Sequence, residues 1–207
     1  MRQHVNPLSN YYDQIIPIPS LKEVFKNPDL PLHLDLGSGS GEFLCKLALQ
    51  NQNWNYMGIE IREKLVLSAK SKFRNLENIF FAYGNANNLI QDLINKLSKI
   101  NFNSISVNFP DPWFKKKHHK RRIIQCKLIN NLSTLMPKGS FFIVKSDVFP
   151  LFKDINITVL GSSYFQKIDK DSIDFKNFFN PNRLQSDREI YALLKNLPVF
   201  EQVYIRN

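Results

Sequence analysis

The sequence predicts an α/β protein built on a mostly parallel sheet, and three observations carry that expectation. Short apolar runs rich in β-branched and aromatic residues alternate with segments of helical period, the pattern of consecutive βαβ units. A glycine-rich turn, Gly37-Ser38-Gly39-Ser40-Gly41, joins the first of those runs to a helical segment. The 207 residues, 43% of them hydrophobic and 22% charged, suit one folded domain with its own core.

The elements follow in order. Residues 1 to about 20 carry Pro7, Pro17 and Pro19 among polar residues and are expected to form an extended tail ahead of a single domain over residues 21–207. The tail lacks the apolar centre of a secretory signal. Residues 32–36 (LHLDL) form a buried strand that breaks at Gly37, and a helix is expected from about 41 to 50. Residues 56–61 form a second strand, followed by a helix through 64–74, and residues 79–82 a third strand. Leu89, Ile90, Leu93, Ile94 and Leu97 then recur at helical spacing. Residues 105–109 form a fourth strand that ends in a proline-rich turn. Ile124, Leu128, Leu132 and Leu135 mark a helix stopped by Pro137 and Gly139, with a fifth strand at 141–145. Beyond it, residues 157–160 and 199–205 read as strands flanking a helix near 187–197.

No stretch reaches 18 consecutive apolar residues, so no membrane-spanning helix is expected. Cys45 and Cys126 lie far apart without a CxxC motif, which disfavours a disulfide framework and fits a reducing, cytoplasmic compartment. The net charge is +10, and its placement matters more than its size. Between Pro112 and Ser146 there is no acid, yet the stretch holds nine Lys and Arg residues. A field so concentrated favours a polyanionic partner over a merely solvated surface.

The glycine turn has the spacing GxGxG, unlike the GxGxxG of dinucleotide binders. Asp35 precedes it at the strand end, where a carboxylate repels phosphate and suits an ammonium group. Glu60 closes the second strand, where a carboxylate can accept hydrogen bonds from ribose hydroxyls. An amine, a ribose and no phosphate describe S-adenosylmethionine.

The fourth strand leads into Asn108-Phe109-Pro110-Asp111-Pro112-Trp113-Phe114, at the strand end where open α/β sheets bind ligands. Two prolines stiffen this loop, and Trp113 or Phe114 could stack a base. Lys115-Lys116-Lys117-His118-His119-Lys120-Arg121-Arg122 follows directly and can neutralise phosphates around a target nucleotide. His118 and His119 are adjacent, and His4 and His33 isolated, so neither a metal nor a catalytic histidine is expected.

With these motifs the chain resembles the bacterial tRNA (guanine-N7)-methyltransferases over roughly residue 32 to the C-terminus. The glycine turn is similar to the general class I methyltransferase motif. The stretch from Asn108 to Trp113, continued by Lys115 and Lys120-Arg121-Arg122, resembles the family's own signature. Lys145-Ser146-Asp147 and Ser186-Asp187-Arg188-Glu189 resemble its later motifs. The resemblance implies a Rossmann-like, doubly wound seven-stranded mostly parallel sheet. It implies a methyl group moved from S-adenosylmethionine to N7 of a guanine in the tRNA variable loop, by a monomer or homodimer. Asp35, Gly37, Ser38, Gly39, Glu60 and Asn85 would form the cofactor site together with Asp111, which stands closest to the chemistry as its catalytic residue. Lys115, Asp147, Ser186 and Glu189 would contact the tRNA, with Arg121 and Arg122 beside them. Three positions depart from the family pattern: Asn85 stands for an acid near the adenine, Ser186 for threonine, and Arg188 where an aromatic is common. An amino-group methyltransferase, a binding module with a degenerate site and a nicotinamide dehydrogenase are the competing readings.

Overall fold

The computed structural model describes residues 5–14, 16–96, 102–169 and 184–207. In chain order its elements are α1 (Leu21–Val24), β1 (Leu32–Leu36), α2 (Glu42–Gln50), β2 (Asn55–Glu60), α3 (Glu63–Lys72), β3 (Ile79–Tyr83), α4 (Ala86–Lys96), β4 (Phe102–Asn108), α5 (Cys126–Leu135), β5 (Phe141–Ser146), α6 (Phe149–Leu160), β6 (Phe165–Ile168), α7 (Asp187–Leu194) and β7 (Phe200–Arg206). Short 3-10 turns add Asn10–Tyr12 and Lys116–Arg121.

Seven strands make one sheet in the order β3-β2-β1-β4-β5-β7-β6. The first five run parallel, while β7 is antiparallel to both β5 and β6. Strand order reverses between β1 and β4, so the crevice outside their carboxyl ends is the natural ligand position of this doubly wound fold.

Side chains alternate across the sheet. Leu32, Leu34 and Leu36 of β1, with Ile105 and Val107 of β4, enter the larger core against α4, α5 and α6. α2 and α3 cover the other face around Tyr56, Ile79 and Phe81. Alternation therefore places His33 and Asp35 of β1 beside Ser104, Ser106 and Asn108 of β4 on that second face, in the register His33↔Ser104 and Asp35↔Ser106.

Residues 157–160, expected as a strand, are the last turn of α6. Pro150 starts that helix, and Leu151, Ile155 and Val159 share its buried face at intervals of four, a spacing that overrides the β-branched content of Ile-Thr-Val. The edge strand β6 was not anticipated, and Leu97 lies outside the described residues. The described part of the N-terminal segment packs down on the domain: Ile18 joins the core, Asn85 Nδ2 donates to Pro7 O at 3.1 Å and Asn88 Nδ2 to Tyr12 O at 3.1 Å.

Candidate active site

β1 stops because Gly37, Gly39 and Gly41 all take positive φ, turning the chain back under the N-terminus of α2. The Gly37 and Ser38 amides both donate to Ile59 O, at 2.8 and 3.1 Å, which pins the turn to the end of β2. Gly41 is also a packing requirement, since a Cβ there would stand 2.6 Å from the Phe81 ring. The Ser38 side chain occupies the space over Gly58, where a Cβ would meet its Oγ at 2.7 Å.

Beside the turn lies a cleft of about 510 Å³. Asp35, Gly37, Ser38, Gly39, Glu60, Asn85 and Asp111 all line it, as do Arg121, Arg122 and Ser186. Lys115, Asp147 and Glu189 do not. The glycine turn and the Asp111 loop thus share one cavity although 70 residues separate them in sequence on the two sides of the strand-order reversal.

Asp35 is buried and accepts from Ser106 Oγ at 2.6 Å and Asn108 Nδ2 at 3.2 Å. Burial pushes its carboxyl up to about 6; the two hydrogen bonds oppose that shift and the Glu60 charge adds to it. Both Glu60 oxygens are engaged. Oε2 accepts from Gly39 N at 2.9 Å and Arg62 Nη2 at 3.1 Å, and Oε1 from Arg62 N at 2.9 Å and Nε at 2.8 Å. Four donors match the capacity of a carboxylate, so a ribose hydroxyl would have to displace Arg62 from Glu60. Sequence reasoning missed Arg62; a basic residue two positions after the strand-end acid was the available signal.

The Asp111 loop is bracketed by left-handed residues, Phe109 at φ 51° and Trp113 at φ 44°. Such conformations cost about 1–3 kcal/mol each and persist where surrounding contacts over-determine them. Phe109 is anchored by its amide, which donates to Lys145 O at 2.8 Å. Arg122 braces the loop from behind, with Nε donating to Pro112 O at 2.9 Å and Nη1 paired with Asp154. Trp113 is half-buried, its ring 5.1 Å from the Arg121 guanidinium and edge-on to His118. Partial burial and then the surrounding cations, Arg121 foremost, push the His118 imidazole down. Phe114 is 76% exposed.

A family model described as "Putative methyltransferase" (Methyltransf_4) matches residues 29–202. A tRNA (guanine-N(7)-)-methyltransferase of Prochlorococcus marinus subsp. pastoris is 56% identical over 99% of both chains. The chain belongs to the tRNA (guanine-N(7)-)-methyltransferase family. A member from Synechococcus elongatus is 36% identical, covering 100% of this chain and 96% of its own. Among solved structures, the aminoglycoside resistance methyltransferase NpmB1 aligns with a TM-score of 0.60 at 16% identity, over 95% of this chain and 97% of that one. A fibrillarin/Nop5p complex aligns at 0.55 and 13%, over 87% and 74%. These likenesses place the sheet in the class I methyltransferase fold.

The departures from the family pattern have structural explanations. Ser186 is the N-cap of α7: its Oγ accepts from Glu189 N at 3.2 Å, a task a serine and a threonine hydroxyl perform alike. Glu189 turns away from the cap and accepts from buried Lys145 Nζ at 3.0 and 3.2 Å, with Glu201 3.6 Å from the same ammonium. Arg188 pairs with Asp147 and lies over the Tyr191 ring at 4.8 Å. Asn85 Oδ1 accepts from Asn87 N at 3.1 Å while its Nδ2 holds the Pro7 carbonyl. An acid could make the first contact but not the second.

Proposed function

We propose that the protein moves the methyl group of S-adenosylmethionine to N7 of a guanine in the variable loop of tRNA, in the cytoplasm. The single observation that carries this reading is the shared cleft, where Asp35, Glu60 and the glycine turn face Asp111 beneath a rim containing Lys120 and Arg121. Its volume of about 510 Å³ lies in the range of small-molecule sites, and its donor set fits the cofactor. Two carboxylates, Asp35 and Glu60, suit an ammonium and a ribose, whereas a pyrophosphate would meet negative charge and turn amides already committed to Ile59 and Glu60.

When bound, S-adenosylmethionine supplies an electrophilic methyl on a sulfonium. Asp35 would hold its ammonium, Glu60 its ribose, and Asn85 would stand near its adenine. Guanine N7 carries a lone pair and no proton, so no side chain here is required as a general base. The chain's contribution is orientation, which the proline-stiffened loop provides by fixing Asp111 against the base. N7 alkylation leaves the guanine positive, and a fixed carboxylate at Asp111 stabilises charge developing there.

Two further groups support an RNA partner. Nε of Arg121 and of Arg188 are buried beside the cleft without a hydrogen-bond acceptor among the described residues. An unmatched buried donor costs about 1–3 kcal/mol, a cost that a phosphate or base acceptor would remove. The test is methyl transfer to unmodified tRNA, followed by mapping of the product nucleotide. The expected product is one 7-methylguanosine in the variable loop; a methylated exocyclic amine, or no transfer, overturns the reading.

A further inference from the structure

His33 sits at the centre of β1 with no exposed surface, on the face that leads to the cleft. Its Nδ1 lies 2.7 Å from Ser104 Oγ and its Nε2 lies 3.0 Å from Ser106 Oγ. Ser106 in turn donates to Asp35 at 2.6 Å. Counting hydrogens gives this chain a direction. A serine hydroxyl has one proton. Ser106 directs it at the Asp35 carboxylate, so toward His33 it can only accept, and Nε2 must carry the imidazole proton. Nδ1 is then an acceptor and takes the Ser104 proton. The three hydrogen bonds run one way, from Ser104 through His33 and Ser106 to Asp35.

We propose that His33 is a positioning residue for the cofactor's ammonium group: by donating to Ser106 it commits that hydroxyl to Asp35 and keeps Asp35 an oriented carboxylate at the floor of the cleft. This deepens the S-adenosylmethionine reading and rests on it. Without the imidazole, Ser106 could turn its proton elsewhere, and the buried acid would lose support for its charge. The groups that face Asp35 are Ser106 and Asn108 from β4, His33 from its own strand, and Glu60 from β2, itself neutralised by Arg62; Asp111 adds a charge beyond Arg62. The imidazole is held neutral, since burial pushes its pKa down to about 3, so across the working pH range it acts as a fixed dipole and does not itself titrate.

The experiment compares two ligands on the full chain. S-adenosylhomocysteine carries the amino acid half that Asp35 holds; 5′-methylthioadenosine lacks it. His33→Phe is expected to weaken S-adenosylhomocysteine by about tenfold at pH 7.5, the scale of one hydrogen bond to a charged group. It should also move the acid limb of the pH–affinity profile upward by about one unit, while 5′-methylthioadenosine stays within about twofold. His33→Gln, which can accept from Ser104 and donate to Ser106, should restore both. Unchanged S-adenosylhomocysteine affinity and acid limb in His33→Phe overturn the proposal, as does a glutamine variant no better than phenylalanine. If His33→Phe loses both ligands through misfolding, Ser104→Ala decides, since it leaves Ser106 and Asp35 in place and removes the donor that fixes the His33 tautomer: the same selective loss supports the relay and its absence overturns it. Failure of the unaltered protein to bind S-adenosylhomocysteine overturns the cofactor reading and the relay with it.

Discussion

The floor of the cleft and its basic rim solve opposite problems. Around Asp35, the side chains of His33, Ser104 and Ser106 are all but sealed from solvent and engage one another in a directed chain. Lys115 to Lys117, by contrast, are exposed and lead into a 3-10 turn in which Arg121 and His118 gather on Trp113. On the proposed reading the floor meets a small ligand that fits one way, so its geometry is set before binding. On the same reading the rim meets a long polyanion, where charge density matters more than the place of any one ammonium. Recognition by fixed geometry is sensitive to small displacements; recognition by exposed charge is sensitive to salt.

That contrast can be broken or sharpened by experiment. The largest effect is expected from Asp111→Ala, which should lower single-turnover methyl transfer about 10²–10³-fold, as loss of one preorganised electrostatic group does. S-adenosylhomocysteine affinity should stay within about threefold; equal losses in turnover and affinity would move Asp111 from the chemistry to the floor. Glu189→Gln leaves the buried Lys145 ammonium with one nearby carboxylate and should cost about 3 kcal/mol in denaturant unfolding. A loss below about 1 kcal/mol would show that the pair does not hold α7 in place and frees Glu189 for a direct part in RNA contact. Replacing Lys115 and Arg121 together by Ala should weaken tRNA binding about tenfold at moderate salt and reduce the log–log salt slope by about 1.5, since each phosphate contact contributes about 0.7–0.9. An unaltered slope would mean that these charges are only solvated. Phe114→Ala is the smallest change, about fivefold in tRNA affinity with the salt slope intact, as expected for a single stacked base. A changed slope there would place Phe114 in the folding of the rim.

The strands that build the floor were legible because their signals are local. The run Leu-His-Leu-Asp-Leu bounded by Gly37 fits β1 end for end, and the proline loop announced its place after β4. Alternation in β1 and in Asn-Ser-Ile-Ser-Val-Asn of β4 also held the clue that His33 and Asp35 face Ser104 and Ser106. That clue needs the strand pairing, and taken alone His33 looked isolated. Residues 157–160 misled because Ile-Thr-Val-Leu, three apolar residues and three β-branched ones among four, resembles a strand when the buried spacing that begins at Leu151 is overlooked. The pairings of Asp147 with Arg188, Lys145 with Glu189 and Asn85 with Pro7 join residues 41, 44 and 78 positions apart, distances over which no sequence period carries information.

Asn85 has a practical corollary. One amide ties the segment around Pro7 to the first turn of α4, and Val5, Pro7 and Leu8 thereby become part of the cleft wall. A purification tag on the amino-terminal side of Val5 would therefore be joined to a segment that lines the cleft, whereas one placed after β7 would follow a strand beside the edge strand β6. Binding constants should be compared between preparations only after the amino-terminal fusion has been cleaved, and a carboxyl-terminal handle is the sounder choice for screening inhibitors.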